Sequence, residues 1–352
     1  MAENTRDLKR ELLEIFFRPE LPDPGGYSEV LEAVQETLNA EGPEYRPRSE
    51  GGYPGGLIHL DPSIETVVVP DLHARMDFFA SLLLAGDLSD APVMEKLEAG
   101  EMQIVCVGDG FHAEARAYDR WKAAFEEFSG GYRSHENMDA EMRESLGLME
   151  MVMRAKTRFP RRFHFLKGNH ENIANEEGHG NYPFGKFAYE GAMVTHWVKL
   201  FYGEDFLSLY YKFEKMLPLL AVGRNFLISH AEPAVFLDEP GIIDYRDNPE
   251  TVYALTWTDN DAAEPGSVAR MLEHYLDDPE SAYYFGGHRP IRTRYNLRAD
   301  GKYVQIHNPS RFVVAHLKPD GEIDPNRDIR FLERAAELKG GGRRAAERGE
   351  SG

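Results

Sequence analysis

Six short apolar runs in the chain each end in a side chain able to bind a divalent metal. Val67-Val68-Val69-Pro70 leads into Asp71-Leu72-His73, and Ile104-Val105-Cys106-Val107-Gly108 leads into Asp109. Phe163-His164-Phe165-Leu166-Lys167-Gly168 leads into Asn169-His170-Glu171. Phe226-Leu227-Ile228-Ser229 precedes His230, and Tyr283-Tyr284-Phe285-Gly286-Gly287 precedes His288. The weakest of the set, Tyr303-Val304-Gln305-Ile306, precedes His307. Asp, Asn and His offer oxygen and nitrogen donors suited to Mn, Fe or Zn, unlike the thiolates of a structural zinc site. A carboxylate such as Asp109 can bridge two cations. Such a pair lowers the pKa of a shared water and clamps both ends of an in-line phosphoryl displacement. That chemistry asks the protein mainly for positioning and charge stabilisation. It also needs an acid for the departing oxygen, a role open to His170 beside Asn169.

Donors so far apart in sequence meet only if strands deliver them to one place. In α/β sheets that place is the carboxyl ends of the strands. From about residue 57 the pattern predicts a strand to 70, a helix over about 75–85 and a strand at 103–108. A polar helical stretch over 113–158, broken at Ser129-Gly130-Gly131, precedes a strand at 163–167. Residues 184–216 read as helical and aromatic-rich, and strands follow at 225–229, 283–286, 303–306 and 312–317. Leu8, Leu12, Leu13 and Phe16 recur at helical spacing within 5–17, and a second helix is predicted over 27–38. Gly51-Gly52-Tyr53-Pro54-Gly55-Gly56 lacks the Gly-Lys-Ser/Thr ending of a phosphate-binding loop and reads as a connector. The expectation is a layered α/β fold around one or two sheets. Residues 1–56 form an N-terminal helical extension and loop, and 57–335 form the main domain, with an insertion at about 113–158. Residues 336–352 form a disordered polar tail.

Composition narrows the function classes. The chain has 352 residues, 42% of them hydrophobic, enough for a packed globule, and a formal charge of -20. That charge argues against nonspecific binding to nucleic acid or to an anionic membrane. The sole cysteine, Cys106, lies in an apolar run, so no intrachain disulfide is possible and the thiol reads as a small buried hydrophobe. No apolar stretch reaches the length of a membrane span, and the start lacks a signal core, so a cytoplasmic setting is expected.

Taken in order, Asp71-Leu72-His73, Gly108-Asp109, Gly168-Asn169-His170-Glu171, Ser229-His230-Ala231 and Gly287-His288 resemble the motifs of the calcineurin-like metallophosphoesterases. The Gly-Asn-His-Glu segment is most similar to the branch of serine/threonine phosphoprotein phosphatases and diadenosine tetraphosphatases. Leu217-Pro218-Leu219 and Leu255-Thr256-Trp257-Thr258-Asp259 look like its connecting segments. The resemblance covers about residues 65–320. It implies two mixed β-sheets forming a sandwich flanked by helices, with two divalent or mixed-valence transition metal ions at the strand ends. It further implies that Asp71, His73 and Asp109 hold the first metal, and that Asp109, Asn169, His230 and His288 hold the second. His170 would be the general acid and Glu171 a supporting residue.

The second motif departs from that family. Where its phosphatases carry Gly-Asp-x-x-Asp-Arg-Gly, this chain has Gly108-Asp109-Gly110-Phe111-His112-Ala113-Glu114. The Asp that orients the acidic histidine is replaced by His112, and the phosphate-gripping Arg by Ala113. Glu114 is then a candidate to orient His170, and Arg75, Arg116 and Arg289 are rival phosphate ligands, because a bidentate guanidinium suits phosphate. His112, Glu114 and His307 are expected around the metal ligands. His164 reads as structural and His179 as a loop residue. Diesterase relatives carry a second histidine where Pro290 stands, and its absence tilts the reading towards the monoesterase and tetraphosphatase branch. The 113–158 insertion is a candidate lid over a small substrate.

The reading is a phosphomonoesterase whose metal-bridging hydroxide attacks phosphorus directly, acting on a phosphorylated protein or small molecule. The alternatives are a nucleotide phosphodiesterase or dinucleoside polyphosphate hydrolase and, from another class, a metal-binding interaction module without turnover.

Overall fold

A computed structural model describes residues 3–339 apart from Asp87. Its strands are β1 (Leu57–His59), β2 (Glu65–Val69), β3 (Met102–Cys106), β4 (Phe163–Phe165), β5 (Leu220–Val222) and β6 (Phe226–Ile228). They continue with β7 (Tyr283–Gly286), β8 (Asn296–Arg298), β9 (Tyr303–Gln305), β10 (Val313–Leu317) and β11 (Ile329–Phe331). One sheet has the order β11-β10-β2-β3-β4 and the other β1-β5-β6-β7-β9-β8. Both are mixed: β2, β3 and β4 run parallel with β10 antiparallel, and β6, β7 and β9 run parallel with β5 and β8 antiparallel. The single strand predicted up to residue 70 is two strands, β1 and β2, one in each sheet.

Strand periodicity builds the layers. Successive side chains of a strand face opposite ways, so Val68 of β2 and Val105 of β3 point into a core shared by the two sheets, with Ile228, Phe285 and Val304 opposite. Their neighbours Val67, Val69, Ile104 and Cys106 point the other way, into a helical layer. Burial raises the Cys106 thiol pKa far above its usual value, consistent with an inert packed side chain. Leu57, Leu220, Leu227, Tyr284 and Tyr303 of the second sheet form the outer core with residues of Pro249–Thr256 and Ser267–Tyr275. The result is a sandwich of two mixed sheets with helices on both outer faces.

The large helical layer comprises α1 (Glu3–Phe17), α2 (Pro24–Asn39), α3 (Met76–Leu84), α4 (Val93–Ala99), α5 (Tyr118–Ser129), α6 (Glu136–Arg158), α7 (Glu190–Phe201) and α8 (Glu204–Glu214). α2 starts where Asp23 accepts the Gly26 N–H at 2.8 Å and Pro24 supplies the helical φ at the first position. The insertion is not a lid. Met138, Met142, Leu146, Met149 and Met153 recur at helical spacing and are all buried, so α6 is a central core helix. Tyr27 of α2 donates to Leu146 O, so the N-terminal segment packs as part of this layer.

A buried charge knot ties that segment to α6 and β4. Glu41 accepts from Arg46 and, at 2.5 Å, from Lys156 Nζ. Lys156 also donates to Pro160 O and Phe163 O, and Arg46 to Gly55 O and Met216 O. His164 lies beside the knot, its pKa pushed down to about 3 by burial and then by Lys156, as befits a structural residue. Residues 184–189, predicted helical, form a loop, and α7 begins only at Glu190. Ala336–Lys339 form a short helical turn with Leu338 buried, and the remainder of the predicted tail, 340–352, lies outside the described residues. No helix among the described residues is long and apolar enough to cross a membrane.

Candidate metal centre

Every parallel strand near the middle of the two sheets delivers a polar residue at its carboxyl end. Asp71 and His73 follow β2, Asp109 follows β3, and Asn169, His170 and Glu171 follow β4. His230, His288 and His307 follow β6, β7 and β9. The turns that aim them are tight. His73, Asp109, His112, Glu114 and His288 all have positive φ, between 43° and 78°, a conformation that side-chain-bearing residues adopt at a cost. Two motif glycines are steric necessities. A Cβ at Gly168 would lie 2.3 Å from Asp109 Oδ1, and one at Gly287 would lie 1.9 Å from Asp71 Oδ1.

The side chains converge. Asn169 Oδ1 lies 2.9 Å from His230 Nε2 and 3.0 Å from His288 Nδ1, and those two nitrogens are 3.2 Å apart. Asp109 Oδ2 sits 3.5 Å from His230 Nε2 and 3.5 Å from His73 Nε2, between the two groups of donors. His230 Nδ1 faces Val107 O at 3.1 Å and His73 Nδ1 faces Phe111 O at 3.2 Å. A ring donating its Nδ1–H to a carbonyl presents an Nε2 lone pair on its other side. Burial holds both rings well below the usual histidine pKa, and takes His288 down to about 3. They are therefore neutral at pH 7.

The consequence is a space lined by acceptors. The ring nitrogen of His230, the Asn169 amide oxygen and the Asp109 carboxylate face one another. Asp71 Oδ2 is buried with no hydrogen-bond partner. Burial raises Asp71 and Asp109 above the usual carboxylate range, with the Asp71 charge raising Asp109 further. These residues could hold cations, and the oxygen-and-imidazole donor set fits transition metals. Donor atoms of Asp71, Asp109 and His230, and separately of Asp71, His73 and His307, lie within 4.8 Å of one another.

Around the ligands, Glu171 accepts the N–H groups of Gly168, Asp109 and Gly110 at 2.7–2.9 Å, fixing two of the site's turns. His170 donates its backbone N–H to Asp109 Oδ1 at 2.9 Å. Its ring packs on Phe184 at 4.6 Å and is 12% exposed, and its Nδ1 has no partner. His112 stacks on Trp121 at 4.8 Å, accepts the Glu114 N–H and faces Glu190 Oε1 at 3.5 Å. Glu114 is placed differently from the expectation. It does not hydrogen-bond to His170; it lies 3.6 Å from His73 Nε2 and 3.2 Å from His307 Nε2, and accepts from Lys186 Nζ at 2.9 Å.

The three arginines fare unequally. Arg75 is buried, and its guanidinium spends four of its five N–H groups on the carbonyl oxygens of Leu72, Asp71, Asn308 and Arg311, so it clamps loops and has no bidentate face to offer a phosphate. Arg116 is tied to Glu144 at 2.6 Å and to His73 O. Arg289, beside His288, forms an exposed pair with Asp259. His179 is exposed and bonded to Glu176, as a loop residue. Lys186, Phe184 and Glu190 are site neighbours that the sequence did not disclose. All lie in or just after the loop mistaken for helix, and only the Pro183 and Gly185 breaks hinted at it.

No family model and no curated protein matches the chain. Solved structures do. A protein serine/threonine phosphatase from Saccharomyces cerevisiae with similarity to human phosphatase PP5 superposes with a TM-score of 0.53 at 13% identity, covering 89% of this chain and 91% of that one. A cold-active protein-tyrosine phosphatase of a psychrophilic Shewanella matches at a TM-score of 0.45 and 13% identity over 80% of this chain and 83% of that one. The first match, together with the two mixed sheets, shows that this chain shares the fold of that serine/threonine phosphatase, a fold consistent with the metallophosphoesterase architecture that the motifs led one to expect.

Proposed function

We propose that the chain is a metal-dependent phosphoesterase that hydrolyses a phosphomonoester. Asp71, His73 and Asp109 would hold one cation and Asp109, Asn169, His230 and His288 a second. Bound there, the pair supplies charge neutralisation for the phosphoryl group and acidifies a water. One observation carries the reading: Asn169 Oδ1, His230 Nε2 and His288 Nδ1 converge to within 3.2 Å of one another beside the Asp109 carboxylate, an oxygen-and-imidazole donor set of the kind that holds a transition metal.

The chain's own groups supply the rest. Asp109 shares its carboxylate between the two donor groups, and Glu171 keeps its turn rigid through three N–H contacts. His170 is the partly exposed imidazole at the mouth, positioned through its backbone on Asp109, and even a neutral ring has one N–H to give to a leaving oxygen. Lys186 and Arg289 are half-exposed cations beside the ligands, suited to meeting a dianion. The loop carrying Phe184 and Lys186 packs over His170 and Glu114, which favours a small substrate over a flat protein surface.

The test is turnover of a panel by protein stripped of metal and reloaded with Mn, Zn or Fe. The expected result is metal-dependent hydrolysis of an aryl monophosphate well above that of a bis-aryl phosphate or diadenosine tetraphosphate. Preference for either of the latter two moves the assignment to the diesterase or polyphosphate reading. Metal bound without hydrolysis of any ester moves it to an interaction module, the reading that His112 and Ala113 in the second motif favour.

A further inference from the structure

His307 has no counterpart among the motif residues that carry the resemblance, yet it stands inside the donor cluster. It is fully buried, and neither ring nitrogen has an aligned hydrogen-bond partner. Nδ1 lies 3.4 Å from Asp71 Oδ2, itself buried and unpartnered. Nε2 lies 3.2 Å from Glu114 Oε2, and Glu114 is anchored by Lys186. The ring centroid is 5.2 Å from that of His73. With Glu114 beside Nε2, two buried polar atoms, Asp71 Oδ2 and His307 Nδ1, face one space without an aligned partner, which is costly unless something absent from the chain joins them.

We propose that His307 is a fourth donor to the first cation, through Nδ1, and that Glu114 is the carboxylate that positions its ring through Nε2. The inference rests on the two-cation reading above. The observed distances match the pattern of a metal-bound histidine, with one nitrogen towards a neighbouring ligand oxygen and the other towards a carboxylate that fixes the tautomer. It also accounts for Pro290. The position two residues after His288, which carries a histidine in diesterase relatives, cannot donate here, and the residue at the end of the neighbouring strand β9 would supply an imidazole to the same cation instead. Each cation then has two imidazoles, His73 and His307 for the first, His230 and His288 for the second. The first has the richer carboxylate environment, with Asp71 and Asp109 as ligands and Glu114 behind, whereas the second has Asp109 and a neutral amide. That asymmetry favours the harder cation in the first site.

The experiment is manganese titration of the metal-free full-length chain, read by calorimetry, metal analysis and the exchange-coupled electron paramagnetic resonance signal of a Mn pair. Wild type, His307→Leu and Glu114→Gln are compared, with Asn169→Ala as the control for the second site. Thermal melting establishes that each variant is folded. The expected result is two Mn per wild-type chain, with His307→Leu losing one tight Mn and the coupled signal. Glu114→Gln should retain both but bind the weakened one about 10–100-fold less tightly. Asn169→Ala should weaken the other Mn. A folded His307→Leu chain that binds two Mn with wild-type affinity and spectrum overturns the inference and leaves the two-cation reading standing. Wild type without a coupled pair sinks both. If His307→Leu does not fold, Glu114→Gln decides: unchanged affinity at both sites refutes the role given to His307.

Discussion

Two clusters of charged and polar side chains are buried in this molecule, and they are built on opposite principles. The knot of Glu41, Arg46 and Lys156 closes on itself. One carboxylate receives two cations, and the spare donors of both cations end on carbonyl oxygens. The strand-end cluster around Asp109 does not close. It sets carboxylates, an amide oxygen and imidazole lone pairs against one another and leaves Asp71 Oδ2 and both nitrogens of His307 unpartnered. Burial of ionisable groups is common to both, so burial does not mark a site. What marks it is a charge and hydrogen-bond balance that the protein's own atoms leave open.

Removing one member of the closed cluster should be the most damaging change. Glu41→Ala leaves Arg46 and Lys156 buried without a counter-charge and should cost about 3–5 kcal/mol of unfolding free energy. Hydrolysis per folded molecule should stay near wild type. Denaturant unfolding beside an activity assay checks both halves, and an unchanged midpoint would mean that the knot is not a stabilising unit.

Asp109→Asn acts on the open cluster and should do the reverse. Metal-dependent hydrolysis should fall by at least about 100-fold, the scale of losing one charged group that acts on the transition state. In metal-free protein the same change removes a carboxylate repelled by Asp71, and stability should rise by about 1 kcal/mol, roughly 2–4 °C in melting temperature. With metal present the order of melting temperatures should invert. A fully active Asp109→Asn protein would remove this residue from the chemistry.

The pH dependence separates the clusters further. Burial alone would raise Glu41, but Lys156 and then Arg46 outweigh it and bring its pKa to about 2, below the ordinary 4.5. A depressed carboxylate stabilises the fold above its unfolded pKa, and that contribution is lost as pH falls from about 4.5 towards 2. Asp71 and Asp109 in metal-free protein are shifted upward, first by burial. Their contribution has the other sign: the fold binds their protons more tightly than the unfolded chain, so stability falls as pH rises above about 4. Melting curves of metal-free wild type from pH 2 to 7 should therefore pass through a maximum. Glu41→Gln should flatten its acid side, and Asp109→Asn should flatten its neutral side.

How much of this could be read from sequence follows from the same physics. The strand ends were legible because a short apolar run followed by Asp, His or Asn is a local pattern, whereas the close packing that requires glycine at 168 and 287 shows only in the structure. The seven motif residues do meet. The helical layer was legible in α1, α2 and α3 but misjudged in α6, whose many polar residues lie opposite a Met-rich stripe that buries the helix. Glu114 and Arg75 were misplaced because the partner of a charged side chain is a long-range fact: Arg75 finds its carbonyls at residues 308 and 311, far along the chain. Lys186 was missed for the same reason, lying in a loop with no periodicity to mark its direction.

The arginines provide the smallest and sharpest form of the contrast between closed and open groups. Arg75 is closed: burial lowers its pKa to about 10, and every contact it makes is to a backbone carbonyl except its stacking on Phe78 at 4.9 Å. Arg289 is open: its guanidinium pairs with Asp259, both are exposed, and it adjoins His288. An exposed pair of this kind contributes less than about 1 kcal/mol, so Arg289→Ala should leave the melting temperature almost unchanged. If the guanidinium leaves Asp259 for the incoming phosphate, KM should rise about 5-fold with kcat nearly constant, the size of one exposed charged contact. Asp259→Asn should then lower KM, because it frees the arginine without altering the metal ligands. Arg75→Lys should show the opposite signature, a lower melting temperature with KM unaffected in the folded fraction. A KM effect confined to Arg75→Lys would restore the arginine that the structure places in a structural role and would take Arg289 out of substrate binding.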